Sequence, residues 1–385
     1  MSQADTRPLV AHVIHQLATG GLENGLVNLI NQMPASAFRH VIICIEDFSG
    51  FRARIIRDDV EVIAMRRSEV GVWRMRAALF RLFRRLRPAI VHSRNLSGLD
   101  ALLPARLAGV RICLHGEHGW DVGDLRGERR LWLRRLHIPL VTRYVTVSRD
   151  LQRYLVERVG VPERRVTQIY NGVDSARFAP GDASPDVFPA RFLAPDKLVV
   201  GTVGRAQAIK DQISLIRACA RLRRDDPEMR ERLLLAIVGD GPMLAALRTE
   251  ADTLGLGDAV WLPGNIADIP GVLRGLDVFV LPSLMEGISN TLLEAMATGL
   301  PVIATAVGGN VELVGRDVEG RLFEPQDVDT LAGQIAAYLA DPALRLRTGR
   351  AARERVLREF SLPAMVGCYQ KLYLDAIGAD RATTP

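Results

Sequence analysis

Val278-Phe279-Val280-Leu281, followed after four residues by Glu286-Gly287-Ile288-Ser289-Asn290-Thr291-Leu292-Leu293-Glu294, is the stretch on which the reading of this chain turns. The first four residues form a short apolar run of the kind a parallel strand buried on both faces requires. The second segment opens a helical pattern through Leu292, Leu293, Met296 and Leu300. Glu286 therefore sits on a loop beyond the strand's carboxyl end, and Glu294 lies about one turn into the helix. Ser289 or Asn290 is placed to cap that helix, whose first N–H groups and macrodipole attract an anion such as a phosphate. Two acids flanking an anion cradle suit a ligand with hydroxyls on both sides of a phosphate, which is the layout of a nucleotide sugar.

The same alternation of apolar run and helical stretch extends in both directions. Runs at Leu9–Gln16, Val41–Ile45, Val60–Met65, Ala89–His92, Arg111–His115, Tyr144–Ser148 and Val166–Tyr170 predict one parallel sheet covered by helices. A turn signal at Asn171-Gly172 and an aperiodic stretch from Ala179 to Pro195 read as an interdomain linker. The pattern restarts at Leu198–Val203, Leu233–Val238, Ala259–Leu262, Val278–Leu281 and Pro301–Thr305, predicting a second doubly wound sheet, and the chain from about Leu344 reads as helical. The fold class expected is α/β, with two facing Rossmann-like domains over 1–178 and 196–355 and a C-terminal segment at 356–385. Ligands of such sheets bind beyond the strands' carboxyl ends, so the loops there carry the chemistry.

At 385 residues, two domains are the prior, and 48% hydrophobic with 24% charged residues describes an ordered globular protein. No run approaches the ~20 apolar residues a membrane span needs, and Met1–Pro8 lacks the features of a signal peptide, so a cytoplasmic location is expected. Cys44, Cys113, Cys219 and Cys368 form no C-x-x-C and read as buried reduced thiols. Charge is uneven: residues 1–180 carry 28 Lys+Arg against 17 Asp+Glu, and 181–385 carry 22 against 27. Arginine is concentrated in Trp73–Arg87 and Arg126–Arg143, both helical in pattern, with Val72, Met75, Leu79, Phe83 and Leu86 on one stripe. A solvated helix face and a surface for anionic lipid head groups both fit that pattern. Nucleic acid is not expected as a partner, because no recognition motif or interleaved aromatics accompany the charge.

Several strand-end loops stand out. Ala18-Thr19-Gly20-Gly21 precedes a helix through Leu26, Leu29, Ile30 and Met33, and adjacent glycines allow close approach to a diphosphate or sugar. Gly204-Arg205-Ala206-Gln207-Ala208-Ile209-Lys210 contains one of only three lysines against 47 arginines. Arg205 and Lys210 would set a planar fork and a point charge near a diphosphate. Gly239-Asp240-Gly241-Pro242 reads either as a close backbone approach to base or ribose or as a turn before a helix. His115-Gly116-Glu117-His118-Gly119-Trp120-Asp121 puts two histidines and an acid at a strand's carboxyl end, which points to at least one functional histidine. A strand would turn His115 and His118 to opposite faces, so they are not read as a metal pair. Asp327-Val328-Asp329 reads as a helix N-cap rather than a metal site.

With these segments assembled, the chain resembles the retaining nucleotide-sugar transferases of glycosyltransferase family 4 over nearly its whole length. The resemblance rests on Gly20-Gly21, Asn171-Gly172-Val173-Asp174, Gly204-Arg205 with Lys210, Gly239-Asp240-Gly241-Pro242 and the paired glutamates. The His115–Asp121 segment is also similar to the subgroup found with exosortase (PEP-CTERM) exopolysaccharide systems. The resemblance implies a GT-B architecture whose C-terminal helix crosses back to the first domain, and neither cofactor nor catalytic metal. It implies that Arg205 and Lys210 contact the donor diphosphate, Glu286 the transferred sugar, Glu294 the ribose, and the backbone of Ser289, Asn290 and Thr291 the phosphates. Gly20, Gly21, Gly204, Gly239 and Gly241 would line the donor, and His118, in preference to His115, the reacting carbon. Where the family often has an acid just before the lysine, this chain has Ala208-Ile209. The function implied is transfer of a sugar from a nucleotide-sugar donor to a glycan or lipid-linked acceptor in bacterial exopolysaccharide synthesis. The rival readings are an NAD-dependent oxidoreductase, with Glu46 or Asp47 ending the second strand, a sugar-nucleotide epimerase and a non-catalytic sensor.

Overall fold

The computed structural model describes residues 5–119, 130–315 and 318–382. The chain forms two compact units, one of residues 1–172 with 362–385, the other of residues 173–361. The first holds a parallel sheet of seven strands in the order β3-β2-β1-β4-β5-β6-β7: β1 (Leu9–Ile14), β2 (Arg39–Cys44), β3 (Glu61–Ala64), β4 (Ile90–Arg94), β5 (Ile112–Glu117), β6 (Arg143–Thr146) and β7 (Val166–Gln168). The second holds six in the order β10-β9-β8-β11-β12-β13: β8 (Leu198–Val203), β9 (Leu233–Val238), β10 (Val260–Gly264), β11 (Val278–Leu281), β12 (Val302–Thr305) and β13 (Arg321–Phe323). Each run read as a strand is one. β13 was not foreseen, since three residues opening on an arginine show no period.

Side chains alternate across each strand, so both faces of a buried sheet must find cover. In the first unit Ala11, Val13, Val41 and Val91 pack beneath the helices Val72–Leu86 and Leu102–Leu107. Val10, Ile90, Leu114 and Val145 pack on the opposite face against Leu362, Val366, Tyr369 and Tyr373 of the C-terminal helix Leu362–Ala382. That helix therefore belongs to the core of the first unit although the second unit precedes it in the chain. The second unit is built around Val200, Leu235, Val280 and Ile303, covered by the helices Gln212–Asp225 and Val328–Ala340 through Leu215, Cys219, Leu331 and Ile335.

Two expectations need correction. The stretch 179–195 is no free linker: Phe188 and Phe192 are buried against Trp261, and the Ala179 carbonyl accepts from Arg274, so its aromatics dock it onto the second unit. Cys44, Cys113 and Cys219 are buried free thiols, but Cys368 is exposed because it falls on the solvent side of the C-terminal helix. The basic segment 126–143 contains a helix over Leu131–His137, with 126–129 outside the described residues.

Candidate functional site

In an open parallel sheet the crevice opens where the strand order reverses. In the second unit that reversal falls between β8 and β11, which pair directly through Val200↔Val278 and Gly201↔Phe279. The loops leaving these strands are the Arg205–Lys210 loop and the Glu286 loop, and they are bonded to each other by Leu284 N–H to the Ile209 carbonyl at 2.8 Å. Lys210 Nζ meets Glu286 Oε1 at 2.5 Å, and Ser283 Oγ donates to the same oxygen at 2.7 Å. Glu286 is buried at 8% exposure while the Lys210 side chain keeps 26%. A carboxylate so placed needs a charged partner, and Lys210 supplies it.

Three buried polar residues hold this arrangement from below. Asn310 donates to the Thr305 carbonyl at 3.2 Å, Thr305 Oγ1 to the Ser283 carbonyl at 2.5 Å, and Ser283 Oγ reaches Glu286. The turn after β12 closes the support: Gly308, at φ +48°, would place a Cβ only 1.9 Å from the Glu286 carbonyl oxygen. Only glycine combines that backbone with that approach. Ser283, Thr305, Gly308 and Asn310 were not singled out from the sequence, though the Gly308-Gly309 pair after a strand is the same signal as Gly20-Gly21.

Ser289 caps the helix Asn290–Thr298 by accepting from Leu292 N–H at 3.3 Å, and its hydroxyl lies 3.2 Å from that of Thr291. Glu294 is half-buried in this helix one turn further on. The loops after β8 and β9 interlock: Ala206 N–H donates to the Asp240 carbonyl at 3.0 Å and Met243 N–H to the Ala206 carbonyl at 2.9 Å. Gly239 would meet the Gly204 oxygen at 2.0 Å and Gly241 the Ala206 oxygen at 2.4 Å if either bore a Cβ. Their closest neighbours are thus the backbone of the arginine loop, which they let approach. Arg205 is exposed, and its carbonyl accepts from Gln212 at 3.0 Å. Ala208–Lys210 form a short turn that ends at Asp211 in the left-handed region, φ +45°.

In the first unit the strand order reverses between β1 and β4. Gly20 precedes the helix Gly21–Gln32 in an extended conformation. At the end of β5, His115 and His118 diverge. His115 is buried on the strand, its Nδ1 2.9 Å from Ser93 Oγ and its Nε2 3.5 Å from Glu117, which in turn accepts from Arg134 at 2.7 Å. Burial pushes the Glu117 carboxyl up, but His115 and Arg134 outweigh it and hold it at about 2. His118 lies beyond the strand; its backbone N–H donates to Asn95 Oδ1 at 2.8 Å, and its ring folds over Gly116. Burial and the nearby Arg94 guanidinium lower its pKa to about 3. Trp120 and Asp121 lie outside the described residues. Among the described residues no group of three or more His, Cys, Asp or Glu converges as metal ligands would. Asp327 caps the helix Val328–Ala340 by accepting from Thr330 N–H, and Asp329 pairs with Arg221.

Two doubly wound units in one chain, the second with a lysine–glutamate pair at its reversal point, are the architecture of the GT-B class. Comparison with known proteins makes the class specific. Residues 185–355 match the family described as glycosyl transferases group 1, and residues 19–177 match glycosyltransferase family 4. The chain is 30% identical to the protein of Bacillus subtilis named "Putative glycosyltransferase EpsF" over 347 residues, spanning 86% of this chain and 88% of that one. It is 26% identical to the UDP-Gal:alpha-D-GlcNAc-diphosphoundecaprenol alpha-1,3-galactosyltransferase of Escherichia coli, over 98% of this chain and 99% of that one. The Anabaena protein Alr3699/HepE, solved with UDP and glucose, has the same fold at TM-score 0.82 and 20% identity, over 96% of this chain and all of that one (100%). The chain belongs to the family 4 glycosyltransferases, and it is a glycosyltransferase; the NAD-dependent oxidoreductase reading falls with that assignment.

Proposed function

We propose that this enzyme transfers a hexose, with retention of anomeric configuration and without a metal or other cofactor, from a nucleotide-sugar donor to a hydroxyl of a lipid-linked glycan acceptor. The acceptor class is suggested by the diphosphoundecaprenol-linked substrate in the name of the Escherichia coli relative. Such an acceptor puts the enzyme at the cytoplasmic surface of a membrane; among the described residues no helix is long and apolar enough to cross one.

The observation that carries this reading is the contact of Lys210 with Glu286 at the reversal of the strand order. A donor diphosphate brought to Lys210 and Arg205 competes with Glu286 for the ammonium. The Glu286 Oε1 is engaged by Ser283 and Lys210, which leaves Oε2 to accept from a sugar hydroxyl. The backbone of Ser289, Asn290 and Thr291 receives the phosphates, Glu294 the ribose hydroxyls, and His118 lines the approach of the acceptor. In the reaction the bond from the anomeric carbon to the diphosphate oxygen breaks while the acceptor oxygen bonds to the same face. The acceptor proton passes to the departing diphosphate, so the protein's task is charge stabilisation and positioning.

The test is a thermal-shift panel of UDP-, GDP- and ADP-sugars followed by transfer assays with the stabilising donor. A rise in melting temperature with one nucleotide class, lost in K210A, is expected. No shift with any nucleotide sugar would overturn the reading.

A further inference from the structure

We propose that the outward face of the helix Val72–Leu86 is a docking surface for an anionic lipid bilayer. Its use by the enzyme rests on the lipid-linked acceptor reading above. The helix carries five arginines and no acid, and it divides cleanly into two sides. Met75, Leu79, Leu82 and Phe83 are buried in the core of the first unit. Trp73, Ala77, Phe80 and Arg84, at helical spacing, form the opposite stripe, with Trp73 exposed at 76% and Phe80 at 36%. Arg74, Arg81 and Arg85 flank that stripe, and Arg87 ends it.

An arginine-rich composition alone does not explain this face. On this helix Arg76 alone pairs with a carboxylate, that of Asp100, as Arg57 does with Asp59, Arg67 with Asp100, Arg217 with Glu250 and Arg355 with Glu319 in other parts of the chain. Arg74, Arg81, Arg84, Arg85 and Arg87 have no carboxylate partner among the described residues. Arg84 and Arg87 also line a cleft of about 310 Å³ beside Pro88 and Gly109, large enough for a phosphate head group. Arg76 stacks over the Trp73 ring at 5.3 Å and holds it outward. The helix Leu102–Leu107, which packs beside it, bears no acid either and adds Leu107, more than half exposed.

Unpaired guanidiniums would suit any polyanion, but the aromatics select among them. Trp and Phe projecting from a basic helix face sit favourably at head-group depth, while arginine keeps its charge in the phosphate layer and its stem in the apolar boundary. A nucleic acid backbone uses the charge and leaves Phe80 and Leu107 in water.

Co-sedimentation of the full chain with vesicles tests this. Binding is expected to phosphatidylglycerol–phosphatidylcholine vesicles and not to phosphatidylcholine alone, with release in about 1 M salt, where the screening length falls to about 3 Å. R81A/R84A/R85A and W73A/F80A should each weaken partition by about tenfold or more, whereas R347A/R350A, which removes two exposed arginines of the second unit, should not. Circular dichroism confirms that the exposed substitutions leave the fold intact, and transfer to a water-soluble acceptor should be unchanged. Equal binding to neutral vesicles, wild-type binding by both variants, or binding to duplex DNA without binding to vesicles would overturn the proposal. Vesicle binding by a chain that transfers no sugar to any acceptor would instead sink the lipid-linked acceptor reading and leave the docking surface standing.

Discussion

Arg94 Nη1 lies 3.1 Å from His12 Nδ1, with both side chains buried in the first unit, and no carboxylate pairs with this guanidinium among the described residues. The charge is instead spread over neutral imidazoles. Because Arg94 donates to Nδ1, His12 must carry its proton on Nε2, which then donates to His40 Nδ1 at 2.9 Å. His92 Nδ1 is shared by Tyr373 Oη at 2.9 Å and Arg94 Nη2 at 3.4 Å. Parallel register sets His12 beside His92.

These histidines should make the fold acid-sensitive. Burial first, then the Arg94 charge, lowers His12, His92 and His118 below the ordinary histidine value of 6.5, His118 to about 3; burial and Arg57 lower His40 to about 3. A folded-state pKa below the unfolded one gives stability that is present above about pH 6.5 and is lost as pH falls toward about 3. Each histidine that stays neutral costs about 1.4 kcal/mol per pH unit in that window. Urea midpoints at about pH 7.5, 6 and 5 should fall steadily; a flat profile would contradict the arrangement.

Tyr373→Phe removes the hydroxyl that bonds His92 while keeping the ring in the core. A loss of about 1 to 3 kcal/mol is expected from the buried imidazole left short of a donor, against about 3 to 5 kcal/mol for Tyr373→Ala, which also empties a cavity. Denaturant melts of the two variants check the order.

Lys210→Ala should lower kcat by about tenfold to a thousandfold, and Arg205→Ala similarly, if they neutralise a departing diphosphate. Glu286→Gln keeps the Ser283 contact but not the charge that holds Lys210, and should fall between wild type and Lys210→Ala. Initial rates of nucleotide release with acceptor present decide it; wild-type turnover in the Arg205→Ala/Lys210→Ala double variant would refute the assignment.

Gly308→Ala combines a strained backbone with a contact on the Glu286 carbonyl. It should cost about 1 to 3 kcal/mol of stability and depress activity through Glu286. Gly333→Ala is the control: it lies in the helix Val328–Ala340 with nothing near its would-be Cβ, and should stabilise by about 0.5 to 1 kcal/mol with activity intact.

Asp327→Ala removes the cap that accepts from Thr330 N–H at 3.0 Å and Thr330 Oγ1 at 2.6 Å. About 1 kcal/mol of stability should be lost. Transfer rates measured at a temperature where both proteins are folded should match; a large loss of rate would mean that the D-x-D does more than cap.

Much of this was legible in the residues. Val278–Leu281, Leu198–Val203 and Leu233–Val238 announced themselves as strands because burial on both faces demands an unbroken apolar run, and Ser289 was one of two candidate caps because its hydroxyl can serve an N–H three residues on. Phe188 and Phe192 were passed over because two aromatics in a Pro- and Asp-rich stretch show no period, and only Trp261 across the fold gives them a reason to be buried.

The chain's own order of residues was enough to establish two doubly wound halves and the family, since apolar period, turn residues and caps act over a few neighbours. Which loops meet was settled only in three dimensions. Lys210 and Glu286 are 76 positions apart, and what brings them within 2.5 Å is that β11 lies next to β8 rather than beyond β10. The same holds for Arg94, His12 and Tyr373: a strand's neighbours, and the step along them at which two side chains fall level, depend on how the whole sheet packs rather than on any local pattern.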